Sequence, residues 1–412
     1  MAITNVREDW RPVTPFFAAN VLFGSGLFAH AFLYNFYLDE LGHGEAVMGA
    51  AAAALTAGGL AALVPAGLAL DRWGARATYS GAVLLAAVGL LAGCLVTRQP
   101  TVYAAAFFAG AGAAGWRVSM APIFMAVASD RVRSRAFSWN VGLLLASGAL
   151  WTAMAGVVPG QVASVLGVSG LTGLRVSMGL GAGGTLLAAA AFLLVPLPPG
   201  RRAGPGEGGA ARASAGQAGR TDRAAPVRVP GDVRRLVGLI LVWMLAAALV
   251  LPFFNIYFQR VHQMPVARIG LLFGAVQGLT ALAVFAGGEV AYRVGPGRAL
   301  AGWVFVFPVA LLALVAGPPL ALAIAIYAVQ GLVPPATNPL LDEIVLNRAD
   351  PSVHGAASSW RNGATELSGL LGASLGGLIL ASTGFGTLFG IAAAVAAVGG
   401  GALARSVVAR RA

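Results

Sequence analysis

The chain has 412 residues, of which 58% are hydrophobic and only 10% charged, and its mean hydropathy is +0.80. Soluble domains carry roughly 25% charged residues, so this composition excludes an ordinary water-soluble enzyme and points to a membrane protein. The net charge of +12 rests on 27 basic residues, all of them arginine, and they gather in alternate loops, which argues against a nucleic-acid partner.

Apolar windows of about 20 residues, the length a bilayer crossing needs, fall at 14–38, 46–70, 77–97, 100–128, 136–160 and 172–197. After a polar break they resume at 234–258, 266–291, 298–316, 319–341, 354–382 and 385–408. Six plus six windows predict an all-α membrane protein with 12 transmembrane helices. The first twelve residues hold Arg7, Glu8, Asp9 and Arg11 and lack the shape of a signal peptide. Cys94, the one cysteine, lies inside an apolar window and cannot form an internal disulfide.

Between the second and third windows stands Gly67-Leu-Ala-Leu-Asp71-Arg72-Trp-Gly74-Ala75-Arg76. Two glycines and three charges between apolar runs read as a helix–helix turn at a water interface, with Gly67 and Gly74 letting backbones approach and turn. A second copy follows 221 positions later, Gly288-Glu-Val-Ala-Tyr292-Arg293-Val-Gly295-Pro-Gly-Arg298, pairing Arg72 with Arg293 and Gly74 with Gly295. The same offset pairs Trp139 with Trp360, and an offset of 220 pairs Tyr34-Asn35-Phe36-Tyr37 with Phe254-Asn255-Ile256-Tyr257. One register across separate matches marks a duplication.

The first copy resembles the loop between helices two and three of the major facilitator superfamily, G-x-x-x-D-R-x-G-x-R. The sequence departs from that pattern at Ala75, where a basic residue is common, and at Tyr292, where the second copy would carry Asp. The resemblance implies two pseudo-symmetric six-helix bundles, here 1–197 and 234–412, joined by a cytoplasmic linker at 198–233. It also implies a carrier that rocks the bundles about a central site, with the loop motif as a cytoplasmic gate. The gating set is then Gly67, Asp71, Arg72, Gly74, Arg76, Asp130, Gly288, Arg293, Gly295 and Arg298.

Orientation follows from arginine placement. One set of loops holds Arg72, Arg76, Arg131, Arg133, Arg135, Arg293, Arg298, Arg348 and the tail; the other holds Arg98, Arg175, Arg260 and Arg268 with Asp39, Glu40 and Glu45. The positive-inside bias places both termini and the linker in the cytoplasm of a multi-pass protein of the cell membrane. The linker, rich in Pro, Gly, Ala and Arg, has little to bury and reads as a disordered tether with an attraction to anionic lipid.

Polar groups inside spans are expensive and mark functional sites. The 221 offset pairs Arg117 with Asn338 and Asn140 with Arg361, so each half supplies one Arg and one Asn. Two arginines at a central site suit a carboxylate or phosphate held bidentately; alternatively each pins helices through an acid or a carbonyl. Further solute-site candidates are His30, Tyr34, Trp116, Trp139, Trp360, Gln277 and Gln330. Glu366, the carboxylate well inside span eleven, is a proton-coupling candidate or the partner of an arginine on another helix. His30 reads as a packing donor, a solute hydrogen bond or a proton site.

No Walker loop, HExxH, CxxC or Ser/His/Asp set is present, so no enzyme, cofactor or metal site is expected. The expected function is secondary transport of a small solute by alternating access, proton-linked and for an organic anion or zwitterion. Efflux of drug-like amphiphiles is the alternative, and a non-transporting membrane sensor a remote one. The partners expected are a small-molecule solute, the lipid bilayer and protons, with the chain a monomer.

Overall fold

In hydrocarbon every backbone polar group must find its partner inside the segment, and apolar runs of this length satisfy that requirement as helices. The computed structural model of the chain describes residues 10–129, 132–197, 229–294, 296–350 and 353–408; the side chains of 134, 138, 282–299, 334–336 and 408 fall outside that description. The described residues form helices and connecting turns, with no strand among them. In chain order the helices are α1 (Thr14–Glu40), α2 (Glu45–Leu95), α3 (Gln99–Val127), α4 (Arg133–Leu166), α5 (Gly170–Leu193) and α6 (Gly231–Val250). A 3-10 turn, Leu251–Phe253, leads into α7 (Phe254–Arg260), followed by α8 (Val266–Val294), α9 (Pro296–Val315), α10 (Leu320–Leu346) and α11 (His354–Val408).

Two of these are broken. Within α2, Gly74 takes φ 80 and ψ 172, a backbone region essentially reserved for glycine. The turn expected between the second and third windows is made there, and the Thr78 hydroxyl donates to the Gly74 carbonyl at 2.9 Å. Gly384 breaks α11 in the same way, with φ 81 and ψ 179. Among the described residues seven helices are long and apolar enough to cross a membrane, the two broken ones included, and shorter apolar helices lie at Val266–Ala281 and Leu300–Val315.

The chain forms two compact units. Of the described residues the first gathers 10–37, 57–197 and 266–274, and the second 38–56, 229–265 and 275–408. The second therefore includes the end of α1 and the start of α2, and the first includes the start of α8.

In the first unit the core lies where α1, α3, α4, α5 and the second arm of α2 meet. Phe16 packs against Phe124 at 4.8 Å and Tyr79 at 5.7 Å, Tyr79 stacks on Phe192 at 3.8 Å, and Phe23 stacks on Trp116 at 4.3 Å. In the second unit the aromatic cluster gathers instead around α7, where Phe254 meets Tyr327 at 5.0 Å and Tyr257 meets Phe389 at 5.2 Å. Aromatic rings of this kind each bury 150–250 Å² and dominate core energetics.

Candidate functional site

In the first unit the polar side chains converge on Asn20 of α1. Its Nδ2 donates to Asn140 Oδ1 of α4 at 2.8 Å, while its Oδ1 accepts from Trp116 Nε1 of α3 at 3.0 Å and from Tyr79 Oη of α2 at 3.2 Å. All four side chains are buried. Four helices are thus pinned through one neutral amide, and two solute-site candidates, Trp116 and Asn140, are members of that pin. The sequence reading did not single out Asn20 as a hub; a lone Asn inside an apolar span was the available signal.

Arg117, next along α3 from Trp116, is exposed, and a Cβ added to Gly59 of α2 would lie 3.7 Å from its Nη2. His30 and Tyr34 are enclosed within this unit: their rings lie 4.1 Å apart, Tyr34 donates to the Val102 carbonyl at 3.4 Å, and Gly93 packs on the imidazole edge. Both His30 ring nitrogens are buried and unpaired among the described residues.

The second unit holds the other arginine. Arg361 of α11 is 5% exposed; its Nη2 donates to the Asn338 carbonyl at 3.1 Å and to Asn338 Oδ1 at 2.9 Å, and its Nη1 to Asn362 Oδ1 at 3.2 Å. Its Nε stands 2.9 Å from Asp342 Oδ1. That N–H is not aimed at the oxygen, so the Asp342 contact is an ion pair rather than a well-formed hydrogen bond. The offset paired Asn338 with Arg117 and Arg361 with Asn140; the structure joins Arg361 to Asn338 directly. Gln330 of α10 is fully buried and donates to the Phe307 carbonyl at 3.3 Å; Gln277 and Glu366 are half-buried. Trp139 and Trp360 are exposed.

Of the gating candidates, Asp71 and Arg72 are exposed, and their side chains make no hydrogen bond or ion pair with the described residues. Arg76 Nη2 donates to the Val195 carbonyl at 2.8 Å, tying the Gly74 turn to the chain just past α5. Nothing lies within 4 Å of where a Cβ of Gly67 would be, so its contacts supply no close approach. Asp130 and Gly295 lie outside the described residues, and so do the side chains of Arg293 and Arg298 and the surroundings of Gly288.

The sequence profile of the Major Facilitator Superfamily matches residues 16–327 and 236–411. The chain belongs to that superfamily. Among solved structures it is similar to the nucleoside transporter NupG in a mutant form, at TM-score 0.74 and 15% identity, covering 96% of this chain and 99% of that one. A bacterial homologue of the iron transporter ferroportin, in an inward-facing state, gives TM-score 0.70 at 14% identity, with coverage of 97% and 99%. The xylose transporter XylE from E. coli gives 0.72 at 11% identity, with 95% of each chain covered. At such identities the likeness is one of fold. No curated protein matches the sequence.

As a Major Facilitator Superfamily transporter the chain has one polar cluster that the sequence reading left as separate loop charges. In the second unit Arg260, the last residue of α7, meets Asp39 at the end of α1 at 2.5 Å through Nη2, and Glu45 at the start of α2 through Nη1. One guanidinium thus bridges two acids that flank the α1–α2 turn. Opposite signs in loops of the same predicted side were the signal available for it.

Proposed function

We propose that the chain carries a small organic anion or zwitterion across the cell membrane as a proton-linked secondary transporter working by alternating access. The observation that carries this reading is the setting of Arg117. It is 18 residues after Gln99 and 10 before Val127 in α3, about 27 Å and 15 Å from the two helix ends at 1.5 Å per residue. Arg117 is an exposed residue at that depth, where a charged side chain turned to lipid would cost about 3 kcal/mol or more, and this reading sets it against water instead. A watery cavity with a guanidinium in its wall binds carboxylate or phosphate groups bidentately.

Arg361 supports the proton link. The side chain of its carboxylate partner Asp342 is 52% exposed, while that of Arg361 is 6% exposed. Asp342 and an anionic solute compete for the same cation, and protonation of Asp342 removes the competitor. Proton and anion then favour each other's binding, which is the coupling a symporter needs. Glu366, further along α11, is the second carboxylate for the same experiment.

The test is a thermal-shift screen of solutes at two pH values, then uptake into vesicles with an imposed pH gradient. Ligand stabilisation grows with concentration over Kd. The expected result is gradient-driven uptake of an anionic lead that is lost in Arg117→Gln and keeps its flux but loses its gradient dependence in Asp342→Asn. Flux of cationic amphiphiles that survives Arg117→Gln overturns the anion reading in favour of efflux. Binding without flux in every vesicle overturns carriage itself and leaves a sensor.

A further inference from the structure

Gly49 of α2 and Gly270 of α8 are 221 positions apart, and so are Gly156 of α4 and Gly377 of α11. The contacts they make repeat atom for atom. A Cβ on Gly49 would meet the Ala373 carbonyl and the Cα and N of Gly377; one on Gly270 would meet the Thr152 carbonyl and the Cα and N of Gly156. Thr152 and Ala373 are counterparts at the same offset. In return Gly377 faces the Glu45 carbonyl and Gly156 the Val266 carbonyl, counterparts again, and every one of these approaches lies between 2.4 and 3.2 Å. Other close glycine approaches are not repeated. Gly89 lies on Ala109 and Gly112 on Ala86 where α2 meets α3, but their counterparts are Ala310 and Val333.

Each crossing therefore ties a helix of one sequence half to a helix of the other, α2 to α11 and α8 to α4. A further contact shows where the relation between the halves is centred. Asp39 and Arg260 also stand 221 apart, and they are paired with each other. Under a twofold relation only residues on the axis touch their own counterparts, so the pseudo-twofold of the duplication runs through this ion pair. The repeat fails at one place. Glu45 brings a second carboxylate to Arg260, and its counterpart is Val266. The α2–α11 crossing thus begins with an ionic bridge, and the α8–α4 crossing begins with an apolar residue. At the glycines small residues meet backbone, a contact held by close approach and Cα–H···O geometry, with no long side chain to disengage before the helices part.

We propose that Gly49, Gly156, Gly270 and Gly377, with the Asp39–Arg260 pair, form a reversible closure at the Glu45 end of α2, and that this closure is lopsided, its charge bridge reinforcing the α2–α11 crossing alone. This rests on the reading of the chain as an alternating-access carrier, and not on the identity of its solute. The gating residues expected from the loop motif lie at the other end of the first arm of α2, around Gly74, where the Asp71 and Arg72 side chains make no ion pair with the described residues. The contacts that hold in this structure are those of the Glu45 end.

Cys94→Ala removes the sole cysteine. In that background two cysteine pairs are spin-labelled, Gly44→Cys with Ser382→Cys beside the α2–α11 crossing and Arg268→Cys with Ser164→Cys beside the α8–α4 crossing; all four positions are exposed. Pulsed dipolar spectroscopy in lipid nanodiscs reads the separation within each pair. A Cβ placed against backbone cannot be absorbed by a change of rotamer. Gly49→Ala should therefore add a population of longer separation at 44–382 and Gly270→Ala one at 164–268, while Gly67→Ala, with open space around it, adds none. Arg260→Gln, and about 1 M salt on the unsubstituted crossings, should lengthen 44–382 more than 164–268. Glycine variants whose separations stay at the parent values overturn the closure. Equal lengthening of both pairs in Arg260→Gln, or of neither, overturns its lopsidedness. Should a glycine variant fail to fold, the salt measurement alters neither crossing and decides by the same criterion. Flux in vesicles keeps the two readings apart: separations that shift as expected in a chain that moves no solute support the closure and strike the carrier reading, and flux with immovable separations strikes the closure.

Discussion

The guanidinium of Arg361 holds both the backbone and the side-chain oxygen of Asn338, and Asn338 stands where the first half carries Arg117. The two halves have therefore solved one position differently. In the first, the α4 residue Asn140 is satisfied by a neutral amide, Asn20, and the α3 arginine is exposed. In the second, the α11 residue is itself the cation, spent on its α10 neighbours Asn338 and Asp342.

Removing one member of the Asp342–Arg361 pair tests its energetics. Breaking a fully buried pair costs roughly 3–5 kcal/mol, but Asp342 is half exposed, so water screens much of it and Asp342→Asn is expected to cost about 1–2 kcal/mol. Arg361→Gln removes the charge and the Asn338 clasp together and is expected to cost more. The double variant should be less destabilised than the sum of the two, as read by thermal unfolding in detergent. Strict additivity would mean that the 2.9 Å contact carries no coupling.

The hub at Asn20 predicts an order of effects. Asn20→Ala strands two buried donors, Trp116 Nε1 and Tyr79 Oη, and one acceptor, Asn140 Oδ1, at about 1–3 kcal/mol for each buried group left unpaired. Asn140→Ala strands only Asn20 Nδ2. The melting temperature should therefore drop further in Asn20→Ala, with Trp116 fluorescence shifted toward the red. Equal drops would mean that Asn20 is not the centre of the network.

Membership of the family and the doubling of the chain were legible because both are carried by local patterns: the turn at Gly74, the apolar windows and a constant offset. Arg117 was legible as a charge inside a span. The partner of Arg361 was not, because Asp342 lies 19 residues back on another helix, and no periodicity within one helix reports which neighbour it meets. For the same reason His30 and Tyr34 share a stripe with Asn20 and Phe23 by spacing, yet that stripe faces the inside of the first unit. Helical periodicity gives a face; only packing says whether the face meets protein, lipid or water.

Close backbone approach gives a third prediction. In the second unit a Cβ on Gly49 would lie 2.4 Å from the Ala373 carbonyl and 2.8 Å from Gly377 Cα, and one on Gly377 would lie 2.5 Å from the Glu45 carbonyl. Both neighbours are backbone and cannot swing aside, so Gly49→Ala and Gly377→Ala force α2 and α11 apart, at about 1–3 kcal/mol each by the usual cost of overpacking. Gly67→Ala, with open space around it, should be neutral or stabilising by up to about 1 kcal/mol through helix propensity. Thermal unfolding of the three alanine variants separates packing from propensity.

The cluster of Arg260, Asp39 and Glu45 is partly exposed, so its stabilisation is modest, about 1 kcal/mol or less, and screened by salt. Arg260→Gln leaves two acids facing each other without their cation. The destabilisation it causes should be measurable at low ionic strength and shrink toward zero near 1 M salt, where the Debye length is about 3 Å. A deficit independent of salt would assign Arg260 a packing role through its stem instead.

Two residues beyond Arg260, His262 adds a pH dependence to the same region. Its Nε2 lies 3.2 Å from Tyr257 Oη, and burial pushes its pKa below the ordinary imidazole value of 6.5. The folded state therefore prefers the neutral ring, and between the depressed pKa and 6.5 the unfolded chain binds more protons than the folded one. Stability from this group is complete above pH 6.5 and is lost as pH falls through the folded pKa. His262→Gln, which keeps a hydrogen-bonding group near Tyr257 but does not titrate, should flatten that acid-side slope while leaving the melting temperature at pH 8 nearly unchanged. A slope that persists in the glutamine variant would place the titrating group elsewhere in the chain.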